Sequence, residues 1–154
     1  MSDRVQTSSL PREYVTFHVG DLLVGIDVQI VQEINRLQCG VTPVPRAPEH
    51  IRGVLHLRGE VVTVLDLRRL LGLPPSELTR HSRNVVVDHD GERFALVVDR
   101  IADVESCSPD QIEQPPGNVR GVDERCFIGV LQVERGIVAL LDIATLIGSQ
   151  GVGV

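Results

Sequence analysis

The sequence predicts an all-β fold in which two small barrels pack on each other, with short helical segments between strands. Three observations support this prediction. Short runs of β-branched residues alternate with Gly and Pro turns. A hairpin-like segment occurs twice. Hydrophobic residues make up 42% of the 154 residues but aromatic residues only 3%, so the core must consist of Val, Ile and Leu.

The first half of the chain begins with two strands joined at Gly20-Asp21. Residues 27–37 carry apolar side chains at helix-like spacing, and this segment fits either a short helical turn or a twisted strand. The three prolines of residues 42–48 exclude a central strand and predict a rigid connector. Residues 68–71 predict a short helical tail. The predicted strands of this half are residues 14–19, 22–28, 53–57 and 61–66.

The second half starts the pattern again. Residues 110–121, which include Pro115-Pro116-Gly117, predict a loop. Residues 144–147 predict a closing helical turn before Gly148. The predicted strands are residues 84–87, 94–98, 128–133 and 137–142.

The internal repeat organises the whole chain. Residues 53–66 align with residues 129–142 without a gap, sharing Gly-Val-Leu at the start and Leu-Asp at the end. This predicts duplication of a unit of roughly 70 residues, a size that suits a small barrel. We therefore expect one domain over 13–148 and flexible ends. Barrel one should cover about residues 20–80 and barrel two about residues 81–148, and the two barrels could exchange a terminal strand. The flexible ends should be residues 1–12 and 149–154.

Composition excludes several classes of function. The net charge of −6 argues against nucleic-acid binding, which needs a basic surface. The 15 basic residues are all Arg, so no lysine is available for a Schiff base or a phosphate-binding loop. The cysteines, Cys39, Cys107 and Cys126, form no C-x-x-C pair and predict reduced thiols rather than zinc ligands or disulfides. No apolar signal or membrane-spanning run is present, so we expect a cytoplasmic protein.

Enzyme motifs are also missing from the sequence. The five His form no H-E-x-x-H pattern, and no nucleophile elbow, phosphate-binding loop or dinucleotide fingerprint occurs. Asp88-His89-Asp90 precedes Gly91 between two predicted strands, where a solvated turn is the simpler interpretation. The sequence therefore predicts no catalytic residue, no metal site and no cofactor.

Two charged residues stand out because apolar residues flank them. Glu33 and Arg58 each interrupt a segment that otherwise reads as half-buried, where an unpaired charge is costly. One hypothesis is that the Arg58 guanidinium makes a bidentate contact with Glu33. The alternative is that Arg58 decorates a hairpin turn and Glu33 a solvated face.

Three segments of the chain resemble the CheW family. They are residues 24–34, the proline segment 42–48, and residues 51–68 with their Leu57-Arg58-Gly59 motif; weaker matches occur at 96–101 and 140–142. The resemblance covers about residues 13–148 and implies two Src-homology-3-like five-stranded barrels. It also implies a non-catalytic adaptor between chemoreceptor tips and the regulatory domain of a CheA-type histidine kinase. His56 departs from the family, which often has Asn at that place.

The resemblance also suggests where the partners bind. A receptor tip is a helical hairpin, so we expect an apolar groove with a polar rim between the barrels. The candidates for receptor binding are Val31, Glu33, Ile34, Val54, His56, Leu57, Arg58, Gly59, Val98 and Asp99. The candidates for kinase binding are Leu37, Val41, Val44 and Pro45. The alternative for the apolar candidates is an ordinary role in the core, or in capping the first barrel.

Two other functions remain open from the sequence. A CheW-like adaptor also serves in arrays that control pili, gliding or development. A small β-barrel enzyme or ligand-binding domain would share the architecture, because fold alone does not determine function.

Overall fold

The computed structural model describes residues 10–37 and 41–149, and most of this part of the chain is β-strand. The strands are β1 (Arg12–Val19), β2 (Leu22–Asp27), β3 (Val31–Arg36), β4 (Ile51–Leu57), β5 (Glu60–Asp66), β6 (Arg83–His89), β7 (Glu92–Val98), β8 (Arg100–Cys107), β9 (Asn118–Val119), β10 (Val122–Asp123), β11 (Phe127–Val133) and β12 (Gly136–Leu141). The helices are α1 (Leu67–Leu71) and α2 (Ile143–Ser149). Single 3₁₀ turns cover Val28–Ile30, Pro109–Gln111 and Glu124–Cys126.

Ten of these strands form two five-stranded sheets. The terminal sheet has the order β11-β12-β2-β1-β8, and the central sheet has the order β3-β6-β7-β5-β4. Strands β9 and β10 form a separate small hairpin. The predicted all-β class with two five-stranded units and short helices is confirmed.

The duplicated hairpins match in register as well as in sequence. Gly53 pairs with Val64 in one, Gly129 pairs with Leu140 in the other, and each ladder shifts register just before its glycine. The backbone N–H groups of Asp66 and Asp142 both donate back to the residue before the hairpin strand, over 2.7 and 2.9 Å. The repeat is therefore a structural duplication.

The shared aspartates also start the two helices. An Asp66 carboxylate oxygen accepts from the Arg69 N–H at 3.3 Å, and one of Asp142 accepts from the Thr145 N–H at 3.1 Å. A side chain that accepts a backbone N–H in the first turn stabilises a helix start by about 1 kcal/mol. The repeated Leu-Asp thus ends a strand and begins a helix in each half.

The sheets are not the sequential halves that the repeat suggested. Each hairpin adds in parallel to a strand of the other half: Thr63 of β5 pairs with Phe94 of β7, and Ala139 of β12 pairs with Val24 of β2. The central sheet therefore uses residues 31–98, whereas the terminal sheet uses 12–27 and 100–141. The expected boundary near residue 80 therefore does not separate the two sheets, because the hairpin of β4 and β5 joins β7 and the hairpin of β11 and β12 joins β2.

The core has three parts. The largest lies between the sheets, and each sheet also has a smaller core of its own. Strand β7 serves two of them: Phe94 and Leu96 point into the shared core, while Ala95 and Val97 point into the core of the central sheet. Because both faces of β7 are buried from Phe94 to Val98, these five residues are all apolar rather than alternating.

Some helices and strands of the structure differ from those that the sequence predicts. Residues 28–30 are a 3₁₀ turn and β3 follows, so both readings of this region are partly correct. Strand β8 was missed, since its charged and half-exposed residues hide the strand pattern of an edge strand. The predicted loop contains β9. The expected flexible ends lie mostly outside the described residues, although β1 already starts at Arg12. No described helix has the length and apolarity needed to cross a membrane.

Candidate protein-binding groove of the central sheet

A cavity of about 280 Å³ lies where the two edge strands of the central sheet, β3 and β4, face each other. It combines apolar, amide and charged side chains, as protein-recognition grooves do. The residues that line it are Glu33, Asn35, Arg36, Leu55, His56, Leu57, Arg58 and Asn84.

An ion pair spans one end of this groove. The Arg58 Nε donates to Glu33 Oε2 and the Arg58 Nη2 donates to Glu33 Oε1, each over 3.1 Å. Arg58 and Gly59 have φ values of 54° and 81°, the positive pair that a type I′ hairpin turn requires. The turn thus carries the guanidinium from β4 across to β3, and the ion pair joins the two edges of the sheet. The hypothesis of a bidentate Glu33–Arg58 pair is confirmed.

The pair is asymmetric toward solvent. The Arg58 side chain is 71% exposed, whereas the Glu33 side chain is 17% exposed. Hydrogen bonding from Arg58 lowers the pKa of the Glu33 carboxyl, with a smaller contribution from Asn35 and against the opposing effect of burial. Glu33 is therefore ionised and holds Arg58 in place, and the remaining donors of the Arg58 guanidinium face solvent.

The apolar wall of the groove belongs to the core of the central sheet. Leu55 and Leu57 are half-buried and pack against that core, as do Leu37 and Val41 outside the groove. Val31 packs against the shared core, and Val54 is half-buried on β4. Ile34 is 38% exposed and is the most accessible aliphatic residue among the receptor-binding candidates.

Two predicted receptor-binding residues lie away from this groove. Val98 is 1% exposed in the shared core, so its side chain is unavailable to a partner. The Asp99 carboxylate accepts from Arg68 Nη2 at 2.6 Å and from the Gly20 N–H at 2.8 Å. Asp99 therefore ties α1 to the β1–β2 turn, and the structure gives it a structural role.

The kinase-binding candidates divide in the same way. Thr42 exchanges two backbone hydrogen bonds with Val54, of 2.8 and 2.9 Å, which fixes the proline segment against β4. Leu37 and Val41, which precede the proline segment, pack against the core of the central sheet. Val44 is 42% exposed and Pro45 is also exposed, so these two form the accessible part.

The groove contains residues that sequence reasoning missed. Asn84 is 2% exposed, and its Oδ1 has no hydrogen-bond partner among the described residues. Asn35 is paired with it across the strands, and Arg36 lies one residue further. A buried amide inside an apolar strand was the available signal, because buried polar groups that lack partners are uncommon.

A second ion pair occupies a comparable place in the terminal sheet. Arg135, in the turn before β12, donates from Nη2 to Asp103 Oδ2 of β8 at 2.8 Å. Strands β11 and β8 are the edges of that sheet, so a turn arginine again joins the edge strands. This contact uses one nitrogen, whereas Arg58 uses two, so the central sheet holds the better-defined pair.

These features define a duplicated β scaffold with a polar-rimmed binding groove. Within residues 10–37 and 41–149, no three His, Cys, Asp or Glu side chains converge as metal ligands would. Residues 13–151 match the family model described as a CheW-like domain, and the chain belongs to the CheW family.

Relatives and a solved structure agree with this assignment. The chain is 29% identical to Chemotaxis protein CheW of Treponema pallidum, covering 90% of this chain and 83% of that protein. It is 31% identical to Chemotaxis protein CheW of Rhizobium meliloti, covering 90% and 89%. The scaffolding protein TtCheW from Thermoanaerobacter tengcongensis is similar in structure, with a TM-score of 0.81, 27% identity, and coverage of 89% and 88%.

Proposed function

We propose that this protein is a non-catalytic, cytoplasmic adaptor that couples chemoreceptor tips to a CheA-type histidine kinase. The observation that carries the proposal is the bidentate Arg58–Glu33 pair at an exposed hairpin turn, beside a groove with a leucine wall, in a CheW-like domain. Such a site suits a helical partner, which buries aliphatic residues while the guanidinium binds at the rim.

The receptor tip would dock at the central-sheet groove. Its contacts would be Ile34, His56, Leu57, Arg58 and Gly59, with Glu33 holding Arg58 in position. The kinase regulatory domain would use the exposed part of the proline segment, Val44 and Pro45. Because prolines restrict this backbone, little conformational freedom is lost on binding.

A second candidate is a CheW-like adaptor in an array that does not control swimming. The observation in its favour is the 32% identity to Protein FrzA of Myxococcus xanthus, over 79% of this chain and 74% of that protein. The two candidates use the same site but bind different receptors and kinases. Binding to receptor and kinase fragments from each system distinguishes them.

The test uses two variants and two partner fragments, a soluble receptor tip and a CheA regulatory domain from the same genome. Arg58→Glu places a second carboxylate beside Glu33, so we expect receptor-tip affinity to fall about tenfold or more while kinase affinity is retained. Val44→Glu should lower the affinity for the kinase domain and leave the affinity for the receptor tip unchanged. Isothermal titration calorimetry measures both affinities.

Matched controls separate local from general effects. Arg125→Glu makes the same charge change at an arginine that is 84% exposed and also ion-paired, and Val104→Glu changes a valine that is 53% exposed on the terminal sheet. If Arg58→Glu binds the receptor tip with the same affinity as the wild type, Arg58 is not part of the receptor-binding surface. A folded wild-type protein that binds neither fragment would refute the adaptor proposal for this system.

A further inference from the structure

Two arginines face each other at the ends of β3 and β6. Arg36 and Arg83 are direct cross-strand partners in the central sheet. Like charges placed directly opposite destabilise a sheet, typically by a few tenths of a kcal/mol up to about 1 kcal/mol. None of the ion pairs formed among residues 10–37 and 41–149 includes either arginine.

The surrounding backbone holds one of these charges in place. The Arg83 Nη1 donates to the carbonyl oxygens of Arg80 and Ser82, each over 2.8 Å. These contacts position the guanidinium without neutralising it. Arg36 is exposed and lines the same cavity as Arg58. Arg36 therefore brings unneutralised positive charge to the groove, and Arg83 lies directly opposite it on β6.

The duplicated half shows that the fold does not require this pair. In the terminal sheet, β1 and β8 take the places of β6 and β3, and both pairs of strands have one register shift. The strand-end residues that correspond to Arg83 and Arg36 are Glu13 and Ser106, which are also cross-strand partners. This position therefore accepts one charged and one uncharged residue, so the fold does not require two arginines there.

Side-chain alternation places an apolar contact next to the charges. Ile34, two residues before Arg36 on the same face of β3, is 38% exposed. Arg36 and Arg58 both line the cavity, whereas Ile34 lies beside it. Because β3 is an edge strand, a segment docked along it can contact Ile34 beside the cavity as well as Arg36 and Arg58 in the cavity. Guanidinium groups bind carboxylates with planar, directional hydrogen bonds, which makes a carboxylate the matching ligand.

We propose that Arg36 and Arg83 together bind a carboxylate side chain on the segment of the receptor tip that docks beside Ile34 and Arg58. This inference rests on the adaptor function proposed above, and it specifies the chemistry of the partner. The bound carboxylate neutralises a repulsion that the free protein carries, so docking removes an unfavourable interaction as well as forming a favourable one.

Arg36→Glu tests this proposal because its predicted effects on stability and binding have opposite directions. In the free protein it converts the repulsive pair into an attractive one, so the Tm should rise by about 1–3 °C. Receptor-tip affinity should fall about tenfold, because the new carboxylate repels the partner's. Arg36→Gln, which removes the charge alone, should give an intermediate loss. The dissociation constant of the wild type should rise more steeply with salt than that of Arg36→Glu.

Arg120→Glu is the control, since it makes the same change in net charge at an exposed arginine outside this groove. Unchanged receptor-tip affinity in Arg36→Glu, with the wild type binding normally, would overturn the inference and leave the adaptor proposal intact. Equal losses in Arg36→Glu and Arg120→Glu would also overturn it, because the effect would then reflect net charge. Failure of the wild type to bind the receptor tip would instead count against the proposed function.

Discussion

Gly53 is the position where the smallest change should have the largest effect on stability. Its φ is 148°, a value that residues with a side chain rarely adopt. A Cβ added here would collide with the Thr42 carbonyl, meeting its carbon at 2.8 Å and its oxygen closer still, and would lie 3.0 Å from Val41 Cγ1. The backbone at Val41 and Thr42 would have to move away from β4.

The magnitude of Gly53→Ala follows from what that movement breaks. Thr42 and Val54 exchange two backbone hydrogen bonds, each worth about 0.5–1.5 kcal/mol net. The backbone strain adds about 1–3 kcal/mol. The free energy of unfolding should therefore fall by about 2–6 kcal/mol, which lowers the Tm by roughly 5–20 °C for a chain of this size.

Thermal and urea unfolding followed by circular dichroism measure this loss, and two other Gly→Ala variants calibrate it. Gly129 is the equivalent residue in the second hairpin. A Cβ added there would lie 2.5 Å from the flexible Ile112 side chain and 2.9 Å from the Glu113 carbonyl oxygen, but the φ of Gly129 is not positive. Gly129→Ala should cost less. Gly148 lies in α2 with open space around it, so Gly148→Ala should be neutral or stabilising. A Gly53→Ala protein as stable as Gly148→Ala would refute the close approach.

Two further predictions concern the junction of the sheets and the effect of pH. Asp99→Ala removes the carboxylate that accepts hydrogen bonds from Arg68 and from the Gly20 N–H. Because the ion pair is partly exposed, the free energy of unfolding measured in urea should fall by only about 1–2 kcal/mol. Burial lowers the pKa of His50 below its ordinary value of 6.5, so protonation favours the unfolded chain. The stability of the protein should therefore decline as the pH falls below about 6.5. Thermal unfolding at pH 7 and pH 5 should show a weaker decline for His50→Gln than for the wild type.

The sequence predicted most strands because burial leaves a visible pattern. The hairpin of residues 53–66 and its copy were assigned from alternation, turn residues and Gly positions, and their registers confirm the repeat. Strand β8 escaped because Arg100, Asp103 and Glu105 occupy an edge strand that is bonded to β1 on one side only. Edge strands carry charged residues, which weaken the pattern that identifies a strand.

The binding groove was partly predictable for a related reason. Glu33 and Arg58 were conspicuous as charges in apolar surroundings, and the structure joins them. Val98 and Asp99 are expected in a groove between the barrels, whereas the cavity lies within the central sheet. Val98 is buried and Asp99 binds Arg68. The arginine pair at the ends of β3 and β6 had no sequence signal, since Arg36 and Arg83 are far apart in the chain and only strand pairing brings them together.

By itself, the sequence determined the all-β class, the duplication and the Glu33–Arg58 hypothesis. Each of these depends on neighbouring residues or on a repeated pattern along the chain. Only the tertiary structure decided which sheet each hairpin joins and which edge strands face each other across the groove. The reason is physical: each hairpin pairs in parallel with a strand of the other half of the chain, and both sheets contribute to the shared core, so the pairing depends on contacts between residues that are far apart in sequence.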